Sequence, residues 1–180
     1  MRNGAHEMTA TRQSWSNLKP LPAQYALLVL TREFTEQEYM RICRGFIPRG
    51  MEDKWFVYSE EDTLYIHRSW TGYCIYQLGF IQQDTGYVIG EAFVNRDPSQ
   101  CSEVDDGYDE KLLLFLIENL LLGGQAPFPL APHVPAGIAT DLHLLHVVGA
   151  GHREEEEPKE MSLLEIVTGL WRWILWLVKH

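Results

Sequence analysis

The chain reads as a single α+β domain, an antiparallel meander of four to five strands covered by helices and followed by an amphipathic C-terminal helix. Three observations predict it. Residues 54–94 contain four apolar, aromatic-rich runs separated by short polar breaks, the pattern of hairpin-connected strands. Strand-like runs cluster in the middle of the chain and helix-like runs follow, the element order of an α+β fold rather than of alternating parallel units. At 180 residues, with 46% hydrophobic and 12% aromatic side chains, the chain is long and apolar enough to bury one core.

Residues 1–20 are polar, without an apolar leader, and are expected to form a flexible arm. Residues 21–152 form the α+β domain. It begins with Pro20-Leu21-Pro22 and the short apolar run Tyr25–Leu30, which is consistent with a buried strand. Thr35 and Glu38 have the spacing of a capping box, in which hydroxyl and carboxylate satisfy each other's backbone amides. A short helix should run from there to about Arg44, with Gly45 ending it.

Lys54–Tyr58 is the first strand of the meander, and Ser59–Asp62 a turn of side chains that bond their own backbone. Leu64–Trp70 is the second, with Leu64, Ile66, Arg68 and Trp70 on one face and Tyr65, His67 and Ser69 on the other. Thr71-Gly72 reverses the chain into the third strand, Tyr73–Phe80. Gln82–Gly86 turns again into the fourth, Tyr87–Val94. Glu110–Leu122 has strong helix formers, acidic residues at its start and Gly123-Gly124 after it; it is apolar nearly all round, which predicts a helix buried in the middle of the fold. Residues 153–160 are an acidic linker. Residues 161–180 form the C-terminal helix, where Ser162, Glu165, Thr168, Gly169, Arg172 and Lys179 make one polar stripe and the rest is Leu, Ile, Val and Trp. Glu165 and Arg172 interrupt a span already short for a bilayer, so the helix is expected to pack on the domain or in an oligomer interface.

A formal charge of −10 argues against general nucleic-acid binding, which needs a basic face to displace counterions. Cys43, Cys74 and Cys101 form no CxxC pair, so neither a disulfide framework nor a cysteine zinc site is indicated, and a cytoplasmic location is expected. The signatures of P-loop hydrolases, dinucleotide-binding loops, α/β-hydrolases and zincins are missing. His143 and His146, three apart, match no established zinc spacing, and Glu103, Asp105, Asp106, Asp109 and Glu110 are better explained as a helix start. No metal and no cofactor is expected.

The remaining candidate is the block His67–Gly72. An arginine beside a tryptophan at a sheet end can clamp an anion while the indole stacks on a base or sugar. This predicts a non-catalytic binding protein for a phosphate-bearing small ligand, with Arg68, Trp70, Thr71, Lys54 and Arg96 as ligand residues. The alternative is an enzyme acting on a nucleotide or ADP-ribosyl group, with His67 as acid/base and Glu91 as a second carboxyl partner. The competing structural reading pairs Arg68 with Glu91 inside the sheet. A protein partner or a second copy is expected to meet the C-terminal helix.

Met51-Glu52-Asp53-Lys54-Trp55-Phe56-Val57-Tyr58, followed by Leu64 to Tyr76 with its His67-Arg68-Ser69-Trp70-Thr71-Gly72 element, resembles the core block of an uncharacterised family of small bacterial proteins. That family is associated with chains that carry macro domains, the modules that bind ADP-ribose. The resemblance spans the block alone and implies a role near NAD or ADP-ribose metabolism by association of neighbours.

Overall fold

The computed structural model describes residues 8–50, 52–101 and 105–129. The His143/His146 pair, Glu103, the acidic linker and the C-terminal helix expected from the sequence lie outside the described residues.

An antiparallel sheet of six strands organises the fold, with the order β1-β6-β5-β4-β3 and β2 paired to β6 beyond the end of β1. The strands are β1 (Tyr25–Leu28), β2 (Glu33–Phe34), β3 (Trp55–Glu60), β4 (Thr63–Arg68), β5 (Cys74–Gln83) and β6 (Gly86–Asn95). Four of them are the expected meander, and β1 the extra N-terminal strand. The two-residue β2 was not legible, because its only definition is long-range pairing with Tyr87 and Val88.

Local chemistry accounts for the connections. Glu61 and Asp62 alone join β3 to β4, with Glu61 in the left-handed region at φ 54°. The expected box forms at helix α1 (Glu36–Ile42). Thr35 Oγ1 accepts from the Glu38 amide, and the Glu38 carboxylate accepts from the Thr35 amide at 2.8 Å. Helix α2 (Asp106–Leu116) starts earlier than its apolar run because Asp105 is its cap, accepting from the Tyr108 amide at 2.7 Å. Its last turn widens into a π-helical stretch, Ile117–Leu121. Within that stretch Asn119 pins the following loop by two hydrogen bonds to the backbone of Ala126.

Strand alternation then sorts the side chains. Trp55, Val57, Leu64, Ile66, Tyr76, Leu78, Ala92 and Val94 point to one face and form the main core with Leu112, Leu113, Phe115, Leu116 and Ile117 of α2 and its continuation. Helix α2 is therefore a cover on one face rather than an axis through the middle. Its outer side carries the exposed Lys111 and half-buried Glu110 and Leu114.

On the other face Phe56 and Tyr58 form a second, smaller core with Ala10, and Trp15, Leu18, Ile47 and Tyr65 pack against it. Residues 10–19 are thus docked rather than loose. The Ala10 amide donates to Arg44 O at 2.7 Å, and Trp15 stacks on Phe56 with ring centroids 5.7 Å apart. Trp15 Nε1 donates to Ser69 O, and the Lys19 amide to Gly72 O. An indole with both a stacking partner and a hydrogen-bond acceptor supplies the driving force.

Candidate functional site

One end of the sheet gathers six of the seven residues singled out from the sequence, with His67, next to Arg68 in β4, on the opposite face from it. Lys54 precedes β3, Arg68 ends β4, Trp70 and Thr71 lie in the reversal after it, and Arg96 follows β6. In an antiparallel sheet these termini all fall at the same end.

The reversal itself is built around Gly72. Its φ of +72° is the left-handed region, and a Cβ there would lie 2.0 Å from Asn17 O, so only glycine fits beneath the N-terminal segment. The Gly72 amide closes the turn on Arg68 O at 2.9 Å. Ser69 is buried and anchored, donating from its amide to Lys54 O and from Oγ to Asp53 O. That leaves Trp70 outside the strand. It is 63% exposed, and Lys54 Nζ lies 4.2 Å from its ring centroid, a cation over an indole face at the protein surface. The sequence placed Trp70 on one strand face with Arg68; the strand stops at Arg68 and the two diverge.

Arg68 turns inward. Its guanidinium carbon lies 4.1 Å from the ring centroid of Trp55, its partner across β3–β4, and the Trp55 indole is buried. Burial lowers the Arg68 pKa from its ordinary value, partly opposed by the nearby Tyr76, Cys101 and Tyr108. Beyond Trp55 lies Tyr76, whose hydroxyl donates to Asp109 Oδ1 at 2.6 Å in a fully enclosed site. Burial, reinforced by the Asp109 charge, holds the Tyr76 hydroxyl well above its ordinary pKa, so it stays a donor. Arg96 completes the row, with Nη1 2.7 Å from Asp109 Oδ2 and Nη2 bonded to Asp106. Burial works to lower the Arg96 pKa, but the hydrogen bonds and charges of Asp106 and Asp109 outweigh it and raise the net value. Tyr76, Asp109 and Trp55 were missed as site residues because each also fits an apolar stripe or a helix start.

His67 and Glu91 are not brought together. The register pairs His67 with Cys74 and Glu91 with Gly79, which sets them about 15 Å apart along the strands at roughly 3.3 Å per residue. His67 is 2% exposed, enclosed by the rings of Phe56 and Tyr58. Its Nδ1 lies 3.0 Å from Gly72 O; a carbonyl only accepts, so Nδ1 carries the proton and Nε2 is a bare, buried acceptor with no hydrogen-bond partner. Burial is the main influence and lowers the His67 pKa, against the stabilising bond to Gly72. The result is a neutral imidazole in an aromatic pocket.

Glu91 is exposed on the same face as His67, so it cannot be the partner of Arg68, whose side chain lies on the core face. An extra residue, Gly90, sits between the pairs Gly79–Glu91 and Phe80–Ile89 and puts Glu91 outward. The acidic cluster resolves into structural roles. Asp105 caps α2, Asp106 and Asp109 bind Arg96, and Glu110 accepts from the Val29 amide at 3.0 Å. Among the described residues no group of three or more His, Cys, Asp or Glu is arranged to hold a metal ion, and no helix is long and apolar enough to cross a membrane.

No family model, curated protein or solved structure matches this chain.

Proposed function

We propose that the protein is a non-catalytic binding protein that recognises a phosphate-bearing small ligand at the Arg68/Trp70 end of the sheet. The observation that carries the reading is the exposed Trp70 indole with the Lys54 ammonium 4.2 Å from its ring. A stacking surface and a cation at one place suit a ligand with both a flat ring and an anionic group. Thr71, in the same exposed turn, offers a hydroxyl. Arg68 lies at the same end of the sheet but is turned inward onto Trp55, so it adds positive charge there without being part of the exposed surface. Arg96 contributes less, because Asp106 and Asp109 already balance it. The resemblance of the block to proteins associated with macro domains makes ADP-ribose the first compound to try.

The enzyme reading, with His67 as acid/base, has less support. A general base must reach the proton it moves, and the His67 ring is enclosed on a face that Arg68 does not share.

The test is a thermal-shift screen with ADP-ribose, nucleoside mono- and diphosphates and inorganic phosphate, repeated on Trp70→Ala and Lys54→Ala. The variants should still unfold in one cooperative transition while losing the ligand-induced shift, each compared with its own ligand-free melt. Arg68→Ala is a poor substitute because it removes the cover of a buried indole. Equal shifts in wild type and Trp70→Ala, or none with any of these compounds, would refute the reading.

A further inference from the structure

Strand β1 and the two residues after it are apolar on both sides, yet among the described residues only one side is covered. Ala26, Leu28 and Leu30 face the main core, while Tyr25, Leu27 and Val29 alternate onto the opposite face at 54%, 58% and 73% exposure. The uncovered face continues across the neighbouring strands. Phe93, paired with Leu27, meets Tyr25 edge-on at 5.2 Å, and Ile81 of β5 is 55% exposed. Between them Gly79 leaves open space, since a Cβ there would meet nothing within 4 Å, and its pair partner Glu91 is a polar break in the face. An antiparallel sheet that faces water alternates apolar with polar residues; a strand apolar on both sides is one that is covered on both sides. The N-terminal segment covers only the β3–β4 half of this face, through Trp15 and Leu18.

We propose that residues 161–179 of the same chain cover the β1-β6-β5 half, as a helix laid with its apolar side on Tyr25, Leu27, Phe93 and Ile81. The occupant follows from the pattern of that segment, which lies outside the described residues. At 100° per residue Leu163, Val167, Leu170, Ile174 and Val178 fall opposite the polar stripe, so this apolar side needs a partner as much as the sheet face does. Size agrees as well. About 19 residues of helix span roughly 28 Å, close to the roughly 33 Å length of the ten-residue strands β5 and β6. Reach is ample, because residues 130–160 can extend to about 100 Å. The polar stripe with Glu165 and Arg172 would then face water.

Disulfide mapping on the full-length chain tests this. In a Cys43→Ser/Cys101→Ser background, Leu27→Cys is combined in turn with Val167→Cys, Ile174→Cys or Arg172→Cys and oxidised, and the products are mapped by mass spectrometry. Cys74 can stay, since it is buried and burial pushes its thiol up to about 12. Val167→Cys or Ile174→Cys should cross-link within one chain at least about ten-fold more than Arg172→Cys, given how sharply disulfide formation depends on Cβ separation. Ile81→Cys serves as a second probe should Leu27→Cys perturb the strand. Bonds formed between two chains would overturn the proposal in favour of a second copy. Equal yields at all three positions, or none from either probe, would overturn it outright. Hydrogen exchange is an independent check: Leu27→Glu should remove protection from 161–179 and leave β3 and β4 unchanged, and unaltered protection in 161–179 would count against docking here.

Discussion

Tyr76→Phe isolates one atom whose environment is fully specified. The hydroxyl is enclosed, and it donates at 2.6 Å to the carboxylate of Asp109, itself 2% exposed. Removing it leaves the ring packing and the Arg96 contact to the other Asp109 oxygen in place. What is lost is one hydrogen bond to a charged, buried acceptor, worth about 1.5–3 kcal/mol. For a chain of this size that corresponds to a fall in Tm of roughly 4–8 °C at the middle of the range. Chemical denaturation should give the same loss with an unchanged dependence on denaturant, since no additional surface is exposed on unfolding. The Asp109→Asn background adds a cycle. There the acceptor has lost its charge, and Tyr76→Phe should cost at least about 1 kcal/mol less. The sign with pH follows from the raised Tyr76 pKa. Its contribution is fully present below the unfolded value of about 10 and is lost as pH rises beyond that, so Tyr76→Phe should flatten the alkaline decline. A loss under about 0.5 kcal/mol, or strict additivity with Asp109→Asn, would refute the account of this pair.

Three further outcomes are expected. His67 has a lowered pKa, so its contribution is present above its unfolded value of about 6.5 and is lost as pH falls below it, with a slope of at most about 1.4 kcal/mol per pH unit; urea melts between pH 7 and 4 should show this slope in wild type and less of it in His67→Phe. Gly72→Ala places a Cβ against Asn17 O and forces a left-handed φ, so it should cost more than about 2 kcal/mol and expose Trp15, read as a red shift and quenching of tryptophan emission. Thr35→Ala should cost about 1 kcal/mol by equilibrium unfolding, with Thr35→Ser recovering most of it, because the box at α1 needs only the hydroxyl.

The sequence made legible what depends on local chemistry. The Thr35/Glu38 box, the four meander strands, and the convergence of Lys54, Arg68, Trp70, Thr71 and Arg96 at one sheet end all follow from short-range pattern and strand order. What was not legible depends on register and on where strands stop. The face of Glu91 turns on Gly90, an extra residue that no period-two count anticipates. Trp70 separates from Arg68 because Ser69 is tied to Asp53 and Lys54, a contact between distant backbones. The buried Tyr76–Asp109–Arg96 row joins three elements, and each member taken alone has a commonplace reading.

The carbonyl of Gly72 bears on how the molecule assembles. That one oxygen accepts from the Lys19 amide at 2.9 Å and from His67 Nδ1 at 3.0 Å. It is presented only once β4 and β5 have closed their turn. Its contact with the N-terminal segment, like that between Trp15 and Ser69, joins parts of the chain more than 50 residues apart. Closing so long a loop carries an entropic cost that a local hairpin does not. By that cost alone the N-terminal segment should dock after the β4–β5 turn has closed and leave before that turn opens. Amide exchange at Ala10 and Lys19 would then run ahead of exchange in the β4–β5 ladder.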